Sequence, residues 1–206
     1  FDRVYIQPAA TYAGCAVGAA LWASHMVLGQ PRKFVTEHAY YGPEFTEAQV
    51  VDFLVAQGIS YQEEKSEEAL ASRVAAELAH GRTIGWYQGR SEWGPRALGN
   101  RSILADPRRE EMKEVVNSKI KLLEPFRPFA LAVIGRAAEK YFQVNQVDEL
   151  YSARFMLYVV PVADDQRDTI PAVTYVDGTP RYRWSTTKQS ATTNPSPRSV
   201  TPPGYR

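Results

Sequence analysis

Thr83–Asp106, TIGWYQGRSEWGPRALGNRSILAD, is the stretch on which the reading of this chain turns. Thr83–Gln88 mixes β-branched, aromatic and apolar residues in a short run, which predicts a buried strand. Ser102–Ala105 predicts a second extended piece. Between them, Gly89, Gly94 and Gly99 punctuate a loop that also holds Arg90, Arg96, Asn100 and Arg101. Glycines let backbone N–H groups approach an anion, and arginine offers a forked donor matched to phosphate or carboxylate oxygens. Asn100 and Ser102 add neutral donors that can orient a ligand. Three readings follow from the residues: a phosphate or nucleotide pocket, a solvated structural loop, or a surface tracking a nucleic-acid backbone. Neither a G-x-x-x-x-G-K-[ST] run nor the dinucleotide fingerprint occurs, so generic motifs leave all three open.

On the N-terminal side, Ser66 is placed to cap a helix with Leu70, Val74 and Leu78 on one stripe and Gly81 as its stop. Thr46 caps an earlier helix whose face carries Val50, Phe53 and Leu54 and which ends at Gly58. Residues 30–45, rich in Tyr, Pro and Gly, read as a linker. Ala13–Leu28 predicts a helix of small residues closed by Gly29, and Val4–Ile6 a short strand before it. The small residues would let a backbone or a ligand approach closely; tight packing is the plainer expectation, with Cys15 filling space rather than doing chemistry. On the C-terminal side, Glu110–Ile120 reads as helix, Phe129–Ile134 as strand, Ala137–Phe142 as helix and Phe155–Val162 as strand. The alternation argues for a mixed α/β or α+β fold. From about Tyr182 the chain is rich in Ser, Thr, Pro and Arg, a composition that predicts disorder.

The chain has 206 residues, 44% of them hydrophobic, enough for one domain with additional pieces. Lys and Arg number 24 against 23 Asp and Glu, so any anion site must come from local clustering rather than overall charge. The single cysteine fits a reducing compartment, and no apolar run reaches the roughly 18–20 residues of a membrane span. A cytoplasmic protein without a membrane partner is the expectation. His25, His38 and His80 are too scattered to form a metal-ligand motif. A second basic cluster, Lys119–Phe129 (KIKLLEPFRPF), is stiffened by Pro125 and Pro128 around Arg127. It reads either as a helix end, where Lys119 and Lys121 favour the dipole's negative terminus, or as part of a ligand site.

Three runs, GRSEWGPRALGNRSILADPR (Gly89–Arg108), EPFRPFA (Glu124–Ala130) and IPAVTYVDGTPR (Ile170–Arg181), together resemble the C-terminal half of the O-carbamoyltransferases of nodulation-factor and antibiotic biosynthesis. The resemblance extends from about Phe1 to Arg181. It implies that residues 1–36, with QPAATYAGCAVGAAL, are the last strand–helix unit of an actin-like (sugar-kinase-like) domain. Residues 37–181 would be an incomplete YrdC-like, mixed-sheet domain. The family's implied chemistry is formation of carbamoyl-adenylate from carbamoyl phosphate and ATP, then transfer of the carbamoyl group to a small-molecule hydroxyl, on a sugar or an antibiotic-like acceptor. By that resemblance Arg96, Lys121 and Arg127 contact carbamoyl phosphate and the nucleotide phosphates. Arg90, Asn100, Arg101, Ser102 and Arg181 shape the same nucleotide-binding pocket.

This chain also departs from the family pattern. Tyr12 stands where the resemblance implies an aspartate that ligates a divalent metal, and a phenol is a poor replacement for a hard carboxylate. No metal is therefore expected on this chain. Tyr175 stands where a histidine is implied before Val176-Asp177-Gly178-Thr179. Residues 182–206 hold none of the runs on which the resemblance rests, and a shifted reading frame near residue 181 is the expectation. The expectation is a fragment that is inactive alone, so robust pyrophosphate release from ATP and carbamoyl phosphate would refute it. Two alternatives come from other classes: an RNA-binding module of YrdC-like fold, and a non-functional gene remnant. Nucleic acid is not the expected partner in the leading reading.

Overall fold

A computed structural model of the chain describes residues 5–124, 129–144, 151–175 and 177–179, and the backbone of 181–185. The helix signals are borne out locally. Helix α2 (Glu47–Ala56) starts at Thr46, whose hydroxyl accepts the Gln49 N–H while the Gln49 side chain accepts the Thr46 N–H, a reciprocal capping box. Helix α3 (Glu67–Ala79) starts at Ser66, which accepts from the Ala69 N–H, and ends where His80 Nδ1 meets the Ala76 carbonyl at 2.6 Å. The α3 stripe is as expected, with Leu70 buried and Val74 and Leu78 half-buried. The α2 stripe is narrower than expected, because Leu54 is buried whereas Phe53 is exposed. Thr46→Ala removes the capping hydroxyl and is expected to cost about 1 kcal/mol. Urea titration checks this as a shift in midpoint at unchanged slope.

Helix α1 (Tyr12–Trp22) continues as a π-helical turn, Ala23–Val27, to Gly29. It is not the packed helix its small residues predict: none of its residues is buried, and Cys15 is exposed. Close packing needs a partner surface as well as small side chains, and here Ala13, Gly14, Val17, Ala23, Ser24 and His25 reach no more than half-burial. Tyr5 and Ile6, read as part of a strand, lie outside regular structure, and Val4 is outside the described residues.

Two sheets follow. In the first, β1 (Ile84–Tyr87) pairs antiparallel with β2 (Arg101–Leu104), in the register Ile84↔Leu104 and Trp86↔Ser102. These strands flank the glycine–arginine loop as expected, but β1 alternates half-buried and exposed residues instead of being buried. Helix α4 (Met112–Glu114) continues as a π-helical turn through Val115–Lys121 and ends at Leu122, which takes a left-handed conformation. The second sheet has the order β3-β5-β4, with β3 at Ala130–Ile134, β4 at Tyr158–Val159 and β5 at Arg181–Ser185. Strand β5 runs parallel to β3 and antiparallel to β4, so this sheet is mixed.

Two expectations change here. Tyr182–Ser185, read as the start of a disordered tail, form most of the central strand of that sheet; the remaining tail lies outside the described residues. The strand read over Phe155–Val162 shrinks to Tyr158–Val159, because Tyr151–Phe155 instead forms a 3-10 turn. Helix α5 (Gly135–Tyr141) matches the short helix expected there. It packs Ala138 and the adjacent Phe142 into the main core with Val133, Val160, Val162, Ile170 and Val173. Each of the Val, Ile and Phe side chains contributes about 1.5–3 kcal/mol on burial. A smaller cluster joins Ala39, Leu98 and Phe155. The class is mixed α/β, as expected. No helix among the described residues is long and apolar enough to cross a membrane.

Candidate functional site

The loop between β1 and β2 is organised by one carboxylate. Glu92 has a fully buried side chain, and its Oε1 accepts three backbone N–H groups: Leu98 at 2.6 Å, Asn100 at 2.7 Å and Arg101 at 3.1 Å. Its Oε2 accepts Arg101 Nε at 2.9 Å, and its backbone carbonyl accepts Arg101 Nη2 at 3.0 Å. Burial pushes the Glu92 carboxyl up, but the Leu98 N–H, the Arg101 guanidinium and the Asn100 N–H outweigh it and hold the group below its ordinary value. A carboxylate that curls six to nine residues of chain around itself needs sharp corners. Gly94 and Gly99 supply them at φ of +112° and +109°, where a side chain would strain the backbone.

Asn100, 2% exposed, is the second organiser. Its Nδ2 donates to the Arg90 carbonyl at 2.8 Å, and its own carbonyl accepts the Gln88 N–H at 3.0 Å. The sequence reading made Asn100 a ligand-orienting donor; here its amide closes the loop's base. The segment read as a linker contributes as well. Gly42 donates to the Ser91 carbonyl, Ser91 to the Pro43 carbonyl and Trp93 to the Ala39 carbonyl, at 2.9, 2.9 and 2.6 Å. Tyr40 donates its hydroxyl to the Leu98 carbonyl at 2.9 Å. The loop is thus gripped from inside by Glu92 and from outside by residues 39–43. Glu37, His38, Tyr40, Leu98, Arg154 and Phe155 line a small hollow at this junction.

The expected site residues divide into groups. Arg90, Arg96, Asn100 and Arg101 share the loop; Arg90 Nε donates to the Gly42 carbonyl at 3.2 Å, and Arg96 is half-buried between the two glycine corners. Arg101 is 45% exposed and pairs across the ribbon with Tyr87. Ser102 pairs with Trp86 on the opposite, half-buried face, since successive strand residues alternate faces. Lys121 ends the α4 helical segment with its Nζ 5.0 Å from the Phe129 ring centre, a cation–π contact. Arg127 lies outside the described residues. Arg181 opens β5, paired with Ala130 and Val159. Tyr175 sits at a tight turn where Asp177 accepts the Thr179 N–H and hydroxyl, so its neighbourhood turns the chain into β5.

Glu92 is the residue that sequence reasoning missed. Its signal was present: it is the one acidic residue between Arg90 and Ala105, in a loop with three arginines. Beyond β2, Asp106 accepts the Arg108 backbone N–H and guanidinium, with Nη2 at 2.6 Å. The Arg108 bond holds the Asp106 carboxyl below its usual value.

Against this geometry the comparisons are decisive. The family model described as Carbamoyltransferase C-terminus matches residues 75–194, covering the ribbon, the loop and β5. The chain belongs to the carbamoyltransferase family. Nodulation protein NolNO of Sinorhizobium fredii is 46% identical over 186 residues, spanning 89% of this chain and 27% of that protein. Nodulation protein NolO of Bradyrhizobium diazoefficiens is 40% identical over 198 residues, 95% of this chain and 35% of that protein. The 3'-hydroxymethylcephem-O-carbamoyltransferase of Streptomyces clavuligerus is 32% identical over 195 residues, 95% and 33% respectively. This carbamoyltransferase chain therefore spans about a quarter to a third of the curated relatives it matches.

The divalent metal that the resemblance implies finds no donor set at Tyr12. Tyr12, at the position where an aspartate was implied, is 96% exposed, and no three His, Cys, Asp or Glu side chains converge there.

Proposed function

We propose that this chain forms one wall of a site for carbamoyl phosphate and ATP, within a carbamoyltransferase that passes the carbamoyl group to a small-molecule hydroxyl. The observation that supports it is the Glu92-centred loop. A buried carboxylate immobilises the backbone, so that Arg96 and Arg101 stand on a rigid support rather than a mobile coil. Rigid guanidinium groups suit a reaction that develops charge on phosphate oxygens, since they need no reorganisation as the charge appears. In the balanced chemistry, water releases phosphate from carbamoyl phosphate to leave carbamate. A carbamate oxygen then attacks the α-phosphorus of ATP and pyrophosphate leaves. Finally the acceptor hydroxyl attacks the carbamoyl carbon, gives up its proton, and AMP departs.

In this reading residues 1–36 close an actin-like domain and 37–181 belong to a YrdC-like one. Arg96, Lys121 and Arg127 contact phosphate oxygens. Arg90, Asn100, Arg101 and Ser102 build the loop, and Arg181 stands at the start of β5. The hydroxyl acceptor draws support from the Streptomyces relative, whose name specifies a hydroxymethyl group. An RNA-binding role draws none. Arg108 and Arg109 are paired with Asp106 and Glu111, so these two cations do not extend the loop's arginines into an open stripe.

Calorimetric titration with ATP tests the proposal. Saturable binding is expected, displaced by carbamoyl phosphate or pyrophosphate, and Arg96→Ala is expected to weaken it about tenfold or more, the worth of one charged hydrogen bond. Absence of ATP binding, or full affinity in Arg96→Ala, would overturn it.

A further inference from the structure

Among the described residues, Arg101 is held along one edge. Of the five N–H donors of a guanidinium, Nε goes to the Glu92 carboxylate and one Nη2 donor to the Glu92 carbonyl, while the side chain remains 45% exposed. A planar fork fixed along one edge has its other edge aimed, and that edge carries the geometry that matches two oxygens of a phosphate. The carboxylate that fixes it is itself immovable, because its second oxygen is tied to three backbone N–H groups of the same loop.

We propose that Glu92 is a positioning residue for anion binding: it orients the Arg101 guanidinium so that its outer edge engages a phosphate group. This rests on the anion-binding reading above and assigns the loop's acid a role in it. Glu92 works by cancelling part of Arg101's charge while fixing its direction, so the two effects oppose each other. If charge alone governed binding, removing the carboxylate would strengthen it. If direction governs, removal weakens it.

Glu92→Gln separates these. The glutamine carbonyl can still accept the N–H groups of Leu98, Asn100 and Arg101, so the loop keeps its anchor. Its amide cannot accept Arg101 Nε, so the guanidinium is released. The wild-type chain is expected to show a protected Arg101 Nε–H resonance in nitrogen-edited NMR, assigned by its loss in Arg101→Lys. In Glu92→Gln that resonance should merge with the exposed arginines, and affinity for ATP and for inorganic phosphate should each fall about tenfold. Arg101→Lys should lose the same factor, with no further loss in the double variant, because both remove one interaction.

An unprotected wild-type resonance would overturn the proposal, as would unchanged or tighter phosphate binding in Glu92→Gln. Should phosphate bind with the expected dependence on Glu92 while ATP does not bind at all, the nucleotide reading falls and the positioning role stands. Refolding failure is monitored by far-UV dichroism, and Glu92→Asp then serves as the second variant. With a shorter reach but an intact charge, it should keep the loop's fold yet lose the Arg101 resonance; a retained resonance with lost affinity would overturn the assignment.

Discussion

Glu92→Ala is expected to lower the melting temperature by about 10 °C, among the largest effects of any loop substitution. The alanine leaves three buried or half-buried backbone N–H groups and one guanidinium edge without their acceptor. Breaking a buried charge pair by deleting one partner costs about 3–5 kcal/mol, and for a chain of this size each kcal/mol moves the midpoint by about 2–4 °C. Scanning calorimetry checks it; a shift below about 3 °C would mean the loop holds its shape without its acid. Acidity gives an independent check. The Glu92 carboxyl lies below its ordinary value of 4.5 in the folded chain. Its contribution is therefore fully present above that ordinary value and is lost as pH falls through the lower folded value. The gap in melting temperature between wild type and Glu92→Gln should accordingly be constant near neutrality and shrink below about pH 4.5.

What could be read in advance divides along a physical line. Thr46 and Ser66 announced their helices because a cap acts on residues two or three positions away, within the window a sequence displays. Strands β1 and β2 were legible for the same reason, each a short run bounded by glycine. The loop between them was legible as special but not as built. Its organising contacts run from Glu92 to residues six to nine positions on, and from Ala39 and Gly42 to residues some fifty positions away. Nothing local marks residues 39–43 as a backbone clasp, so they read as a linker.

Helix α1 shows the converse limit. Small side chains permit close approach, but which surface approaches is a tertiary fact, and the described residues leave Trp22, Met26, Val27 and Leu28 exposed. Phe155 was misplaced for a related reason. Its apolar neighbours suggested a strand, yet the chain turns at Tyr151–Phe155 and sends the ring beneath Leu98. The mixed α/β class followed from the alternation of segments. The central position of β5 did not, because Arg181–Ser185 contains no aliphatic residue of the kind that marks a strand in a sequence.

That buried ring predicts the second large effect. Phe155 packs with Ala39 and Leu98, and Leu98 is held above it by its N–H to Glu92 and its carbonyl to Tyr40. Phe155→Ala should cost about 3–5 kcal/mol, as emptied aromatic sites do. Phe142→Ala should cost the same, since Phe142 is equally buried among Val133, Val160 and Val162. The two variants should part in binding. The cavity left by Phe155 lies against the loop and the clasp that grips it, so Leu98 can settle and carry the Glu92 anchor with it. The cavity left by Phe142 lies in the other cluster. Measured well below either melting point, ATP affinity should fall severalfold in Phe155→Ala and stay near wild type in Phe142→Ala. Equal affinity loss in both would tie the loop's geometry to overall stability, whereas loss confined to Phe155→Ala would make the small cluster of Ala39, Leu98 and Phe155 the floor on which the site is built.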